Sequence, residues 1–447
     1  MGTSHSSSIT MSPIQWRMVL LCVWLNVIDG IDVMVAAFTA TAIAGEWELS
    51  GTALGWLLSI GFLGMTAGSL CLAPLSDRWG RRPMLLLCLV VCGTSMIAVQ
   101  WCQTPWQLGL LRFIAGLGIG GILASSNVLC NEYASRRNKG LAVSFLSVGY
   151  AMGATLGGVI ALSLTQSHGW RFVFVFAGAL TLLTAVIMYK YLYESITFLR
   201  ERSDLTSQHQ LQRILNTVPA QYISAIEDNT VETGSKSWTD VVRDGLAAQS
   251  ICLWLAIALT MFGFQFVMSW TPKLMTQSGF SAESGMSAGI VLSVGGMIGA
   301  IALGFASRKF ALSRLQGVFL GATTIVTLLF MVSMGHSQWI WIVGLLLGIL
   351  INGCVASLYA FAPMLYPSQL RTTGVGISMG LGRIGGIVSP LVAGMLLDWQ
   401  WKPAHLYGFY AGAFALALLA TIYLTRQTAP SSNNTGHAGV QILRDAQ

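Results

Sequence analysis

Ala73-Pro74-Leu75-Ser76-Asp77-Arg78-Trp79-Gly80-Arg81-Arg82 gathers one acid, three arginines and a glycine into a short stretch. It closes an apolar run near 54–74 and opens another near 83–101, neither of which contains a charge. Each run is about the twenty residues that an α-helix needs to cross a ~30 Å hydrocarbon core. The stretch therefore reads as a loop joining two membrane spans, and its arginines mark the cytoplasmic side by the positive-inside rule.

Working outward, runs of the same kind fall near 17–43, 106–131, 140–163 and 170–193. After a polar interval they resume near 250–270, 286–306, 314–334, 338–362, 371–397 and 405–425. The expected fold is all-α, a polytopic bundle of twelve transmembrane helices. Composition agrees: 54% of the 447 residues are hydrophobic and 9% charged, against about a quarter charged in soluble domains. The 49 glycines suit helices that approach closely in lipid. A net charge of +7 does not point to nucleic acid, because the cations are confined to particular loops. The eight cysteines are scattered through apolar runs without metal-ligand spacing, so they read as packing residues. No metal or cofactor is expected. The spans hold no histidine–carboxylate cluster, which speaks against an enzyme.

Basic loops carry Arg78, Arg81 and Arg82; then Arg136, Arg137 and Lys139; then Arg308, Lys309 and Arg314. The opposite loops hold Glu46 and Glu48, with Arg171, Lys273 and Lys402 as isolated cations. Both termini are thus expected in the cytoplasm and the chain in an inner or plasma membrane. The expected organisation is a tail 1–16, a six-helix bundle 17–193, a cytoplasmic linker 194–249, a second bundle 250–425 and a tail 426–447, functional as a monomer. An internal repeat supports the division: Gly64, Gly68, Ala73 and Gly149 recur 231 residues on as Gly295, Gly299, Gly304 and Gly380.

The Ala73–Arg82 stretch closely resembles the loop signature of the major facilitator superfamily, G-x-x-x-D-R-x-G-R-R, with Ala73 in place of the first glycine. Tyr193-Glu194-Ser195 resembles that family's P-E-S element, and Leu365-Tyr366-Pro367-Ser368 to Arg371-Thr372-Thr373-Gly374 its Y-P-T-x-x-R-x-T-G element. The resemblance implies a secondary transporter of two pseudo-symmetric six-helix halves that rock about a midplane site. It also implies gating by Asp77, Arg78, Gly80 and Arg81, an acid at a helix end that pairs with arginines in one state and releases them in another. Glu132, beside Arg136 and Arg137, belongs to the same cytoplasmic charge cluster. The second-half counterpart, Gly304 to Lys309, lacks the acid.

Asn26-Val27-Ile28-Asp29-Gly30-Ile31-Asp32 in the first span resembles the D-G-x-D mark of the aromatic acid:proton symporter family. Asp29 and Asp32 share a helix face. Two carboxylates in an apolar span are unfavourable unless they meet a cavity, a cation or a proton, which suits a proton-coupling pair. Arg112 lies at a similar depth in the fourth span, so the three are expected to form one buried charge cluster, with Arg112 holding the acids ionised. Arg383 sits near the middle of the eleventh span with no acid in the second half's spans to pair with. A substrate carboxylate would match its guanidinium fork; a pair with Asp29 across the halves, or snorkelling to water, are the alternatives. In the resembling family the positions matching Arg371 and Arg383 are functionally important, and Arg371 is assigned a gating role. Tyr150, Phe264, Gln265, Trp270, Asn352 and Tyr359 are candidates to line an aromatic-tolerant cavity.

The reading is a proton-coupled importer of a small organic acid, an aromatic carboxylate or related dicarboxylate, whose partners are that acid, the proton and the bilayer. The alternatives are a sugar-type or drug efflux porter on the same fold, or a non-transporting membrane sensor.

Overall fold

The computed structural model describes residues 11–135, 138–202, 205–215, 247–307, 309–334, 339–366 and 370–428. Among them, twelve helices are long and apolar enough to span a bilayer. The first six are α1 (Pro13–Glu46), α2 (Gly51–Trp79), α3 (Arg81–Ala98), α4 (Pro105–Tyr133), α5 (Lys139–His168) and α6 (Trp170–Tyr191). The second six are α7 (Ala247–Gln277), α8 (Ala282–Ala306), α9 (Leu312–Ser333), α10 (Trp339–Leu365), α11 (Arg371–Asp398) and α12 (Pro403–Thr428). Two short helices, Ile196–Glu201 and Leu205–Leu215, begin the interval between the sets and tuck Leu199 and Ile214 beneath Met18 and Tyr133.

Local chemistry sets the starts. Ser12 with Gln15 and Thr104 with Gln107 form capping boxes, each followed by a proline in the first turn. Ser50 and Ser281 cap α2 and α8 through their hydroxyls. These groups satisfy backbone N–H donors that the helix itself leaves open. Most of the helices outrun their apolar runs, because helical hydrogen bonding continues into the interface after hydrophobicity stops. One such extension corrects the expected loop: Pro74 to Trp79 is the end of α2, and the turn into α3 is Gly80 alone. Its φ of +104° is a conformation that side-chain-bearing residues rarely adopt.

The halves repeat one packing plan. Neighbours α2 with α4, α1 with α5 and α3 with α6 are matched by α8 with α10, α7 with α11 and α9 with α12. The glycine repeat is part of this packing. Gly64 and Gly68 face the carbonyls of Phe113 and Leu117 in α4, and Gly295 and Gly299 face those of Leu345 and Ile349 in α10. A side chain at any of the four would push the helices apart. Gly149 likewise meets Val23, but Gly380 faces open space, so that pair shares the offset without the contact.

The halves join through α2 against α11, α5 against α8, and α1 against α7. Consequently α1 is wrapped on all sides, with every residue from Leu25 to Ala40 buried. Its two carboxylates lie inside protein, away from lipid.

Candidate functional site

Asp29 and Asp32 occupy one helix turn but different surroundings. Asp32 is 1% exposed and Asp29 2%. The Cys92 thiol of α3 donates to Asp32 Oδ2 at 3.2 Å, and Thr181 Oγ1 of α6 lies 3.1 Å from the same oxygen. Arg112 Nη1 of α4 donates to the backbone carbonyl of Asp32 at 3.0 Å, and its guanidinium stands over the Phe174 ring at 5.8 Å. Asp29, Asp32 and Arg112 are charged neighbours in the core, but Arg112 reaches Asp32 through its backbone carbonyl, and it forms no ion pair with either carboxylate among the described residues. Cys92 is corrected, from packing residue to carboxylate partner. Both oxygens of Asp29 are buried and accept no hydrogen bond from the described residues. Its charged neighbours are Asp32 on its own helix and Arg383 across the interface.

Arg383 reaches from α11 to the Ser69 hydroxyl of α2, in the other half. Of the alternatives weighed for it, the ion pair with Asp29 is not formed. Tyr150 of α5 neighbours both Asp29 and Tyr359 of α10, and Tyr359 neighbours Arg383. These four side chains form one polar zone between the halves, with Asp29 buried and Tyr150, Tyr359 and Arg383 half-buried. The Tyr359 hydroxyl has only the Met261 sulfur within reach, at 3.9 Å. Gln265 and Asn352 bond within their own helices, to Ser269 at 2.7 Å and to the Gly348 carbonyl at 3.2 Å. Trp270 is fully buried in the apolar core and Phe264 nearly so, which removes Trp270 as a cavity-lining residue and leaves it as packing.

The Asp77 cluster is built wholly within the first half. Arg81 pairs with Asp77 at 3.0 Å and stands 3.8 Å from Glu132, while also donating to Ser195 Oγ at 2.8 Å. Ser195 in turn donates to Glu132 at 2.6 Å. Glu194, which the sequence reading did not place in the site, is its hub. Its carboxylate accepts the backbone N–H groups of Arg81, Arg82 and Ser195 at 2.9, 3.1 and 2.8 Å, capping the start of α3. A Cβ at Gly80 would strike that carboxylate. The Arg78 carbonyl accepts from Arg202 at 3.1 Å. The Arg371 side chain and the residues Arg136, Arg137 and Arg308 lie outside the described residues. On the opposite face Arg171 is not isolated: its two Nη atoms hold Glu46 at 2.6 and 2.8 Å.

One face of α11 shows which end of the interface is shut. Towards the Glu46 face, Pro390 and Gly394 meet the backbone of Gly55 and Gly51, and Asp398 caps the start of α2. At mid-depth is Arg383. Towards the Asp77 face, a Cβ at Gly380 or Gly376 of the same stripe would meet none of the described residues of the other helices within 4 Å. Among the described residues, this face of α11 meets α2 at the Glu46 face and is open at the Asp77 face.

Two six-helix halves with buried, incompletely paired charges between them, sealed at one face only, define a membrane transporter. The chain belongs to the Major Facilitator Superfamily, whose model matches residues 22–385. It is 31% identical over 398 residues to the 4-hydroxybenzoate transporter PcaK of Pseudomonas aeruginosa, covering 88% of both chains. It is 28% identical to the gallate transporter of Pseudomonas putida, covering 93% of this chain and 94% of that one. Among solved structures, the partially occluded inward-open xylose transporter XylE from E. coli superposes with a TM-score of 0.74 at 17% identity, covering 94% of this chain and 99% of that one.

Proposed function

We propose that this chain couples a proton to the import of a small aromatic carboxylate across a bacterial inner membrane, by alternating access. The observation that carries the reading is the zone between the halves. Among the described residues Arg383 has no acid partner within its half, Asp29 accepts no hydrogen bond, and the two are charged neighbours across the interface without forming an ion pair. A carboxylate ligand satisfies the guanidinium, a proton satisfies Asp29, and the hydroxyls of Tyr150 and Tyr359 border the space for a ring. The names of the relatives, a 4-hydroxybenzoate and a gallate transporter, support the substrate class. Arg112, Gln265 and Asn352 act as supports around this zone, and Asp77, Arg78, Gly80, Arg81, Glu132 and Arg371 as the gate at the parted face.

On this reading the arginine-rich loops favour a cytoplasmic Asp77 face with both termini inside, so that the parted face opens inward. The test is uptake of labelled 4-hydroxybenzoate by cells expressing the chain, with and without a pH gradient. Accumulation that collapses when a protonophore is added supports the reading. Accumulation indifferent to the gradient, or outward pumping of the acid, contradicts it.

A further inference from the structure

Resting on that reading, we propose that the two carboxylates of α1 have separate tasks: Asp29 alone carries the exchanged proton, while Asp32 is a fixed anchor positioned by Thr181 and Cys92. The basis is the difference in their partners. Asp32 is tied to three other helices of the first half, by the Cys92 thiol of α3 at 3.2 Å, by Thr181 of α6 at 3.1 Å, and by Arg112 of α4 on its carbonyl. Thr181 is itself seated against the Ala177 carbonyl at 2.9 Å. That network is satisfied whether the carboxyl is charged or neutral, since a hydroxyl both donates and accepts. Nothing in it crosses to the second half, so rocking of the halves leaves it intact.

Asp29 is the reverse case. It is as buried as Asp32, but both its oxygens lack a donor. The groups facing it are Asp32 on α1, Tyr150 on α5, Cys92 on α3 and Arg383 on α11. Only Arg383 is cationic, and it belongs to the half that moves. Rocking therefore changes the surroundings of Asp29 and leaves those of Asp32 alone, which is what a coupling site requires. A proton enters Asp29 from water at one face and leaves from it to water at the other, so no other reactant is needed.

Thr181 and Cys92 are thus positioning residues that act through Asp32. The test uses the full-length protein in proteoliposomes with labelled 4-hydroxybenzoate as the probe. Two rates are read: accumulation driven by a pH gradient, and exchange at equal pH on both sides. Asp29→Asn is expected to abolish accumulation, to keep exchange at a reduced rate, and to flatten the dependence of exchange on pH. Asp32→Asn and Thr181→Val are expected to lower both rates together, Thr181→Val by about tenfold, as for loss of a hydrogen bond to a charged group. Thr181→Val keeps the wild-type shape of the pH dependence, and Thr181→Ser and Cys92→Ser restore the rates. Should Asp32→Asn be the variant that separates exchange from accumulation, or Thr181→Val transport normally, the division is wrong. A wild-type protein that never responds to the gradient overturns the proton-coupled reading instead, and the two failures are distinguishable.

Discussion

The last residue of α11, Asp398, accepts the backbone N–H of Gly51 at 2.6 Å and of Thr52 at 2.8 Å, and so caps α2 from the opposite half. Ser50 caps the same helix from within its own chain segment; of the two caps, Asp398 is the one that crosses between the halves. The contact is possible because Gly51 and Gly394 let the two backbones touch. Opening the Glu46 face must break it.

Replacing Asp398 by alanine removes a charged helix cap, worth about 0.5–2 kcal/mol. Spin labels at the exposed Glu48 and Lys402, one in each half, are expected to show a larger population at long separation in the variant. Asp398→Asn, which keeps one acceptor, is expected to fall between. An unchanged distance distribution would show that the cap does not hold the face shut.

Arg383 is the cation on which substrate capture depends. Arg383→Ala is expected to weaken binding of 4-hydroxybenzoate by roughly tenfold to a hundredfold, the range for losing a charge-assisted hydrogen bond. Lysine keeps the charge without the fork and recovers only part of the affinity. Isothermal titration of the purified protein checks both. Wild-type affinity in the alanine variant removes Arg383 from the site.

Glycines of the internal repeat differ in what surrounds them, so substitution separates packing from pattern. Gly68 faces the Leu117 backbone closely, whereas Gly304 has open space. Gly68→Ala is expected to destabilise the first half by about 1–3 kcal/mol through overpacking. Gly304→Ala should be close to neutral, as the natural Ala73 at the repeated position already suggests. Thermal unfolding in detergent distinguishes the two.

Glu194 satisfies three backbone donors at the start of α3 and in the turn before the first linker helix. Glu194→Ala leaves those donors without their acceptor and is expected to cost about 1–3 kcal/mol. Glu194→Gln, which retains a carbonyl oxygen, should lose less. Melting temperatures of the two variants, read side by side, give the answer.

The sequence disclosed most of the architecture, because a bilayer forces long uncharged helices and a charged residue inside one stands out. Asp29, Asp32, Arg112 and Arg383 were visible for that reason, and the structure buries Asp29, Asp32 and Arg112 and sets Arg383 against the facing half. Partners were not visible. Cys92 and Thr181 are ordinary small residues of apolar spans, distinguished only by facing Asp32 once three helices have packed. Arg112 is legible as a charge neighbour of Asp32 because depth along a helix is legible, while the side-chain direction that sends it to the Asp32 backbone carbonyl is not. Asp398 carries no expectation from sequence, because its role needs a partner from the other half. Pro74 to Trp79 looked like a loop because charge ends a span, although it does not end a helix.

The central claim, that substrate and proton cross together through Asp29 and Arg383, is tested most directly by recording both fluxes at once. Proteoliposomes in weakly buffered medium are given 4-hydroxybenzoate while external pH and internal label are followed. The wild-type protein is expected to make the medium more alkaline in step with uptake, and Asp29→Asn to take up label to equilibrium without any pH change. Wild-type uptake that leaves the external pH unmoved would contradict the account.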